Sequence, residues 1–179
     1  MQSKILKLKD LMVTLKYIRE SGKRIVFTNG CFDILHVGHV RYLAEARAKG
    51  DVLVLGLNSD VSVKSIKFDN RPIIGQDQRA EVLAGLACVD YITVFDEPDP
   101  LALIQAVKPD VLVKGADWEE KNIIGSDVVK SYGGKVVRIK MVPDISTSRI
   151  IRRILELYGK KPRMNTNKHK EVDNKKVRR

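Results

Sequence analysis

The run Val52-Leu53-Val54-Leu55 constrains this chain most, because it is apolar on both faces of an extended strand. A strand with one wet face alternates in polarity. One that is apolar throughout needs cover on both sides, which is the environment of a parallel sheet between two layers of helices. Flanking segments supply the helices. Residues 4–21 carry Ile5, Leu8, Leu11, Met12, Leu15 and Ile18 at helical spacing and stop before Gly22. A strand over 24–28 and a helix over 38–49 precede the two-faced strand over 51–57. Asn58-Ser59-Asp60 then opens a short helix toward Lys67, and residues 68–76, with Asn70, Pro72 and Gly75, read as a loop. The pattern continues with a helix over 79–87 (Val82, Leu83 and Leu86 inward), a strand over 91–95 and a helix over 101–107 behind Pro98 and Pro100. A strand over 110–114, a helix over 123–132 stopped by Gly133-Gly134, and a strand over 135–139 follow. A last helix over 146–158 is expected to bury Ile150, Ile151, Ile154 and Leu155. Five strands alternating with helices through short connections specify an α/β fold with a parallel sheet covered on both faces, and ligands at the carboxyl ends of the strands.

Length and charge narrow the class. At 179 residues the chain suits one domain with a sizeable core. The net charge of +11 resembles a nucleic-acid signal until it is located: residues 160–179 hold nine Lys/Arg and two acids, leaving +4 for the body. That tail has few apolar residues and no aromatic, so it is expected to be a disordered, solubilising extension and the one candidate for binding RNA or an anionic surface. No apolar run reaches the roughly 18 residues a membrane span needs, and the start lacks a signal-peptide pattern. The two cysteines, Cys31 and Cys88, fit reduced thiols in a cytoplasm.

The chemistry concentrates after the first strand, at Phe-Thr-Asn-Gly-Cys-Phe-Asp-Ile-Leu-His-Val-Gly-His over 27–39. A strand that ends in a Gly-bearing turn and restarts as a helix presents backbone N–H groups to phosphate. His36 and His39 add donors that charge near neutral pH. Further polar clusters stand after other strands: Asn58-Ser59-Asp60, Lys114-Gly115-Ala116-Asp117, and Ser146-Thr147-Ser148 at the start of the last helix. Neither Gly-x-x-x-x-Gly-Lys-Ser/Thr nor Gly-x-Gly-x-x-Gly occurs, which removes phosphate-loop NTPases and dinucleotide-dependent dehydrogenases. Only Asp33 or Cys31 is near enough to complete a zinc set with the histidines, so no metal site is assigned.

These segments resemble the His-x-Gly-His nucleotidylyltransferase superfamily, through residues 28–39 and Ile145-Ser146-Thr147-Ser148-Arg149-Ile150. Within it, Asn29 to Asp33, Asn58-Ser59-Asp60, Arg71-Pro72-Ile73, Gln78-Arg79, Ala87-Cys88-Val89-Asp90 and Leu112 to Trp118 look like the adenylyltransferase domain of the bacterial ADP-heptose synthases. Glycerol-3-phosphate cytidylyltransferases share the plan but differ where this chain has Val142-Pro143-Asp144 and Ala87. The resemblance implies a Rossmann-like single domain over 23–158, after an N-terminal helix over 1–22 and before a tail over 159–179. It also implies transfer of AMP from ATP, with Mg2+, to D-glycero-β-D-manno-heptose 1-phosphate. The sugar kinase often fused to such domains is expected on a separate protein, and a homodimer is expected by the same likeness.

Residue by residue, the resemblance implies that His36, His39, Lys64 and Arg79 are catalytic. Thr28, Asn29, Gly30, Cys31, Phe32, Gly38, Lys114, Gly115, Asp117, Ser146, Thr147 and Ser148 would line the nucleotide. Asp33, Asn58, Asp60, Lys67, Arg71 and Trp118 would face the sugar phosphate, Asp33 alternatively acting as a turn stabiliser. Two rival readings remain open. One is another transferase of the superfamily, using CTP with glycerol 3-phosphate or ATP with FMN. The other is a nucleotide- or RNA-binding regulator that has lost the chemistry.

Overall fold

The computed structural model describes residues 2–67, 70–116 and 119–159. Aspartates 69 and 117, Trp118, Phe68 and the basic tail, about which the sequence carries expectations, lie outside the described residues. Five parallel strands, β1 (Ile25–Gly30), β2 (Val52–Asn58), β3 (Tyr91–Phe95), β4 (Val111–Gly115) and β5 (Lys135–Ile139), form one sheet in the order β3-β2-β1-β4-β5. The helices are α1 (Leu8–Glu20), α2 (Val37–Arg47), α3 (Asp60–Ile66), α4 (Gln76–Ala84), α5 (Leu101–Val107), α6 (Ser126–Ser131) and α7 (Thr147–Tyr158). The chain divides after Thr147: the sheet and its first six helices form one compact unit, and the chain from Ser148 belongs to a second.

β2 is buried on both faces, as its sequence demands. Leu53, Leu55 and Leu57 pack with Leu43 and Ala46 of α2 and Ala80 and Leu83 of α4. On the other face, Val52 and Val54 meet a layer built from Leu11 and Leu15 of α1, Leu103 and Ile104 of α5 and Val129 of α6. The N-terminal segment is part of this arrangement: Ile5 bridges Ile92 in parallel, and the Leu6 N–H donates to the Ile92 carbonyl at 2.9 Å. The expected Rossmann-like fold class stands.

Helix bounds and faces differ from expectation in several places: α1 starts at Leu8 instead of residue 4, and α6 at Ser126 instead of residue 123. α4 starts at Gln76, three residues early, because the Gly75 carbonyl receives the Arg79 N–H at 3.0 Å. Its inward face is then Arg79, Ala80, Leu83 and Ala84, and Val82 is 53% exposed instead of buried. In α7, Ile154 and Leu155, expected inside, are exposed. Helical spacing identifies a face that is able to be buried; it does not supply a partner for it.

With β1 central, the chain builds outward through β2 and β3, then crosses to β4 and β5 on the other side. The carboxyl ends of β1 and β4 therefore flank the point where strand order reverses, the crevice in which open α/β sheets hold their ligands.

Candidate active site

The histidines occupy the turn that leaves β1 at this switch point. Phe32 holds φ +43°, a left-handed conformation that costs a residue with a Cβ about 1–2 kcal/mol. Its buried ring takes the room above Gly30, where a Cβ would sit 2.8 Å from the phenyl edge, and meets His39 edge-on with centroids 5.1 Å apart. His36 is extended (φ −144°, ψ 169°) at the N-cap of α2, and its carbonyl accepts from the His39 N–H at 2.9 Å. The two imidazoles stack, centroids 3.8 Å apart and planes 22° from parallel. Gly38 makes this possible, since a Cβ there would lie 3.0 Å from Nδ1 of His36 and 3.2 Å from Cγ2 of Ile145. That closeness also brings the beginning of the Ile-Ser-Thr segment against the histidine turn.

Nδ1 of both rings is buried without a hydrogen-bond partner. Burial lowers both pKa values, and with the neighbouring His36 it takes His39 down to about 4. The pair is thus neutral at pH 7 in the ligand-free protein, and the expectation of charging near neutrality is corrected by desolvation. A stability consequence follows. Folded His39 binds fewer protons than the unfolded chain between about pH 6.5 and 4, so stability falls as pH falls through that window. Thermal midpoints should decline more steeply there for the wild type than for His39→Asn; parallel curves would show that His39 is not the group responsible.

Across the switch point, Lys114 Nζ at the end of β4 donates to Asn29 Oδ1 at the end of β1. Beside it the Ala116 N–H, just past Gly115, donates to Ile139 at 2.8 Å. Thr28 is buried, its hydroxyl 2.6 Å from Tyr42 Oη and donating to the Val113 carbonyl at 3.0 Å. Its side chain ties β1 to α2 and β4, a role the sequence reading missed; a tyrosine on the inward face of α2 is the signal that would have pointed to it.

Two buried charges organise the surrounding loops. Asp33, whose side chain is 0% exposed, accepts from Arg71 Nε at 2.6 Å, the Ile73 N–H at 2.9 Å and the Ile74 N–H at 2.9 Å. Arg79, expected to be catalytic, is instead 1% exposed and committed to the framework. Its Nη1 donates to the carbonyls of Cys31 at 2.5 Å and Asn58 at 2.9 Å, its Nε to Ile74 at 2.9 Å, and its Nη2 to Asp60 Oδ1 at 2.7 Å. Asn58 and Asp60, assigned to the sugar phosphate, are committed to this framework, Asn58 Nδ2 also donating to Ser62 Oγ at 2.9 Å. Ser59 caps α3 by accepting from the Ser62 N–H. Burial pushes the Cys31 thiol up against the lowering influence of Lys67, Arg79 and Arg71, which places those cations around the turn. Lys64 is exposed on α3, with no described contact to the histidine turn. Thr147 is buried at the start of α7, Ser146 precedes it, and Ser148 opens the second unit. A hollow of about 300 Å³ between the start of α5 and residues 121–128 involves none of these site residues.

A stacked histidine pair stands on the helix-start turn of β1, at the strand-order reversal where open α/β sheets hold their ligands. The chain belongs to the cytidylyltransferase-like family, whose model matches residues 27–153. Among relatives, it is 53% identical over 156 residues to the bifunctional protein HldE of Syntrophotalea carbinolica, a match covering 87% of this chain and 32% of that protein. With the bifunctional protein HldE of Geobacter sulfurreducens it shares 55% over 141 residues, 79% of this chain and 29% of that one. The chain thus spans about a third of the length of these relatives. Among solved structures, the lipopolysaccharide core biosynthesis protein of Thermoplasma volcanium superposes with a TM-score of 0.54 at 27% identity, covering 68% of this chain and 98% of that one.

Proposed function

We propose that this chain is an adenylyltransferase that moves AMP from ATP to D-glycero-β-D-manno-heptose 1-phosphate, giving ADP-heptose and pyrophosphate. The observation that carries it is the His36–His39 stack beside Ile145, on an α2 start with no side-chain cap. The bifunctional relatives and the lipopolysaccharide core protein support the choice of acceptor.

An oxygen of the sugar phosphate attacks the α-phosphorus of ATP, forming the new P–O bond while the bond to the β-phosphate oxygen breaks and its electrons leave with pyrophosphate. The nucleophile is already an anion, so no proton has to be removed and no serine or cysteine has to attack. The remaining task is to hold two anions together and to stabilise charge on the five-coordinate phosphorus. With Nδ1 of each histidine buried and unpartnered, Nε2 is the ring nitrogen available to donate to the α- and β-phosphates. Uncapped N–H groups of α2 face the same way electrostatically. Lys114, held by Asn29, supplies a cation at the neighbouring strand end. Among the described residues no group of three or more His, Cys, Asp or Glu side chains stands ready for a metal. Mg2+ would arrive with ATP and would supply charge neutralisation on the triphosphate, beside the cation of Lys114. Both cysteines are free, and among the described residues no helix is long and apolar enough to cross a membrane, in keeping with a cytoplasmic enzyme.

Pyrophosphate release from a grid of ATP and CTP against heptose 1-phosphate, glycerol 3-phosphate and FMN tests this directly. Release is expected with ATP and the sugar 1-phosphate; faster turnover of CTP with glycerol 3-phosphate would reject it.

A further inference from the structure

Asp33 sits on the turn that carries the histidines, yet every hydrogen bond described for its carboxylate runs to the loop after α3. Oδ1 accepts from the N–H groups of Ile73 and Ile74, each at 2.9 Å, and Oδ2 from Arg71 Nε at 2.6 Å and Ile73 at 3.0 Å. With the side chain 0% exposed and both oxygens occupied, the group is closed to a substrate hydroxyl. Arg71 remains reachable, its side chain 15% exposed. Because Nε is the nitrogen bound to Asp33, the guanidinium is fixed in plane and its two terminal nitrogens form a fork of the kind that grips a phosphate through two parallel bonds. Asp33 also lies within electrostatic reach of His39, whose proton affinity it raises.

We propose that Asp33 is a positioning residue for the acceptor: its buried carboxylate aims Arg71 and pins the backbone at Ile73 and Ile74, so that the loop offers a preset fork to the sugar phosphate. This rests on the adenylyltransferase reading and removes Asp33 itself from the set that touches substrate. A phosphate arriving on the terminal nitrogens leaves the Nε bond to Asp33 in place, so the acceptor meets a cation whose direction is already set. Arg79 secures the same loop independently through the Ile74 carbonyl, which is why loss of the Asp33 charge loosens the aim without unfolding the segment.

The test uses Asp33→Asn, which keeps the shape and removes the charge, and Arg71→Lys, which keeps the charge and removes the fork. Each should raise KM for heptose 1-phosphate about tenfold or more, the scale of one charge-assisted hydrogen bond, with KM for ATP and kcat nearly unchanged. The double variant should do no worse than either single one, since both act through one guanidinium. Amide exchange at Ile73 and Ile74, read without substrate, should quicken about tenfold in Asp33→Asn. The role is overturned if exchange there stays at the wild-type rate, if both KM values rise together, or if the two substitutions add. Absence of transfer by the wild-type protein would instead fail the adenylyltransferase reading; normal wild-type turnover with an unmoved acceptor KM in Asp33→Asn would fail the Asp33 assignment alone.

Discussion

Replacing His39 with alanine lowers turnover by about 10²–10³-fold, the loss that follows removal of one fixed donor to developing charge. The proposed transfer needs no nucleophile generated by the protein, so its barrier would fall chiefly through preset donors around the α-phosphorus. His39 is set from three sides: stacked on His36 at 3.8 Å, edge-on to Phe32 at 5.1 Å, and with its own N–H bonded to the His36 carbonyl. Alanine keeps that backbone bond and abolishes the donor. The same change removes a buried ring nitrogen that has no partner, which offsets the lost ring contacts, so the thermal midpoint should stay within a few degrees of wild type. Steady-state kinetics alongside thermal melts check both halves. A folded His39→Ala protein with near-normal turnover would remove this imidazole from the mechanism.

The largest stability effect belongs to Arg79. Arg79→Met fills similar space but withdraws the donors from the carbonyls of Cys31, Asn58 and Ile74 and the cation from Asp60. Asp60 is partly exposed and rehydrates; the carbonyls at the ends of β1 and β2 have less recourse, and breaking such a buried centre costs about 3–5 kcal/mol. For a chain of this size that is a fall of roughly 6–20 °C in the thermal midpoint. Arg79→Lys should recover little, because an ammonium group cannot reach four acceptors held in the plane of a guanidinium. A midpoint lowered by only a degree or two in Arg79→Met would show that the hub is peripheral to stability.

Arg79 also marks where the amino-acid order ceased to be sufficient. The two-faced apolar run, the glycine stops and the proline pair locate β2, β3, α5 and β5 almost to the residue, because those signals are local. The His-x-Gly-His spacing locates the turn and helix start that carry the histidine pair for the same reason. What stayed hidden depends on partners far away in the chain. Arg79 reads as a catalytic cation until the carbonyls of residues 31 and 58 converge on it, and Thr28 reads as a nucleotide contact until Tyr42 and Val113 claim its hydroxyl. Asp33 was legible as either a turn residue or a sugar contact, and only the folded loop, 38–41 positions along, separates the two. The stripe on α7 is a complementary case, in which periodicity was read correctly and burial wrongly inferred from it.

Strand β3 forms one border of the sheet, and the stretch around Ile5 and Leu6 lies along it before α1 sends Leu11 and Leu15 beneath β1 and β2. The stretch at Ile5 and Leu6 therefore acts as a hem sewn along that border, anchored by α1. A module excised from Ile25 onward would carry a raw seam, with unpaired amides beside bared leucines, inviting strands from other molecules.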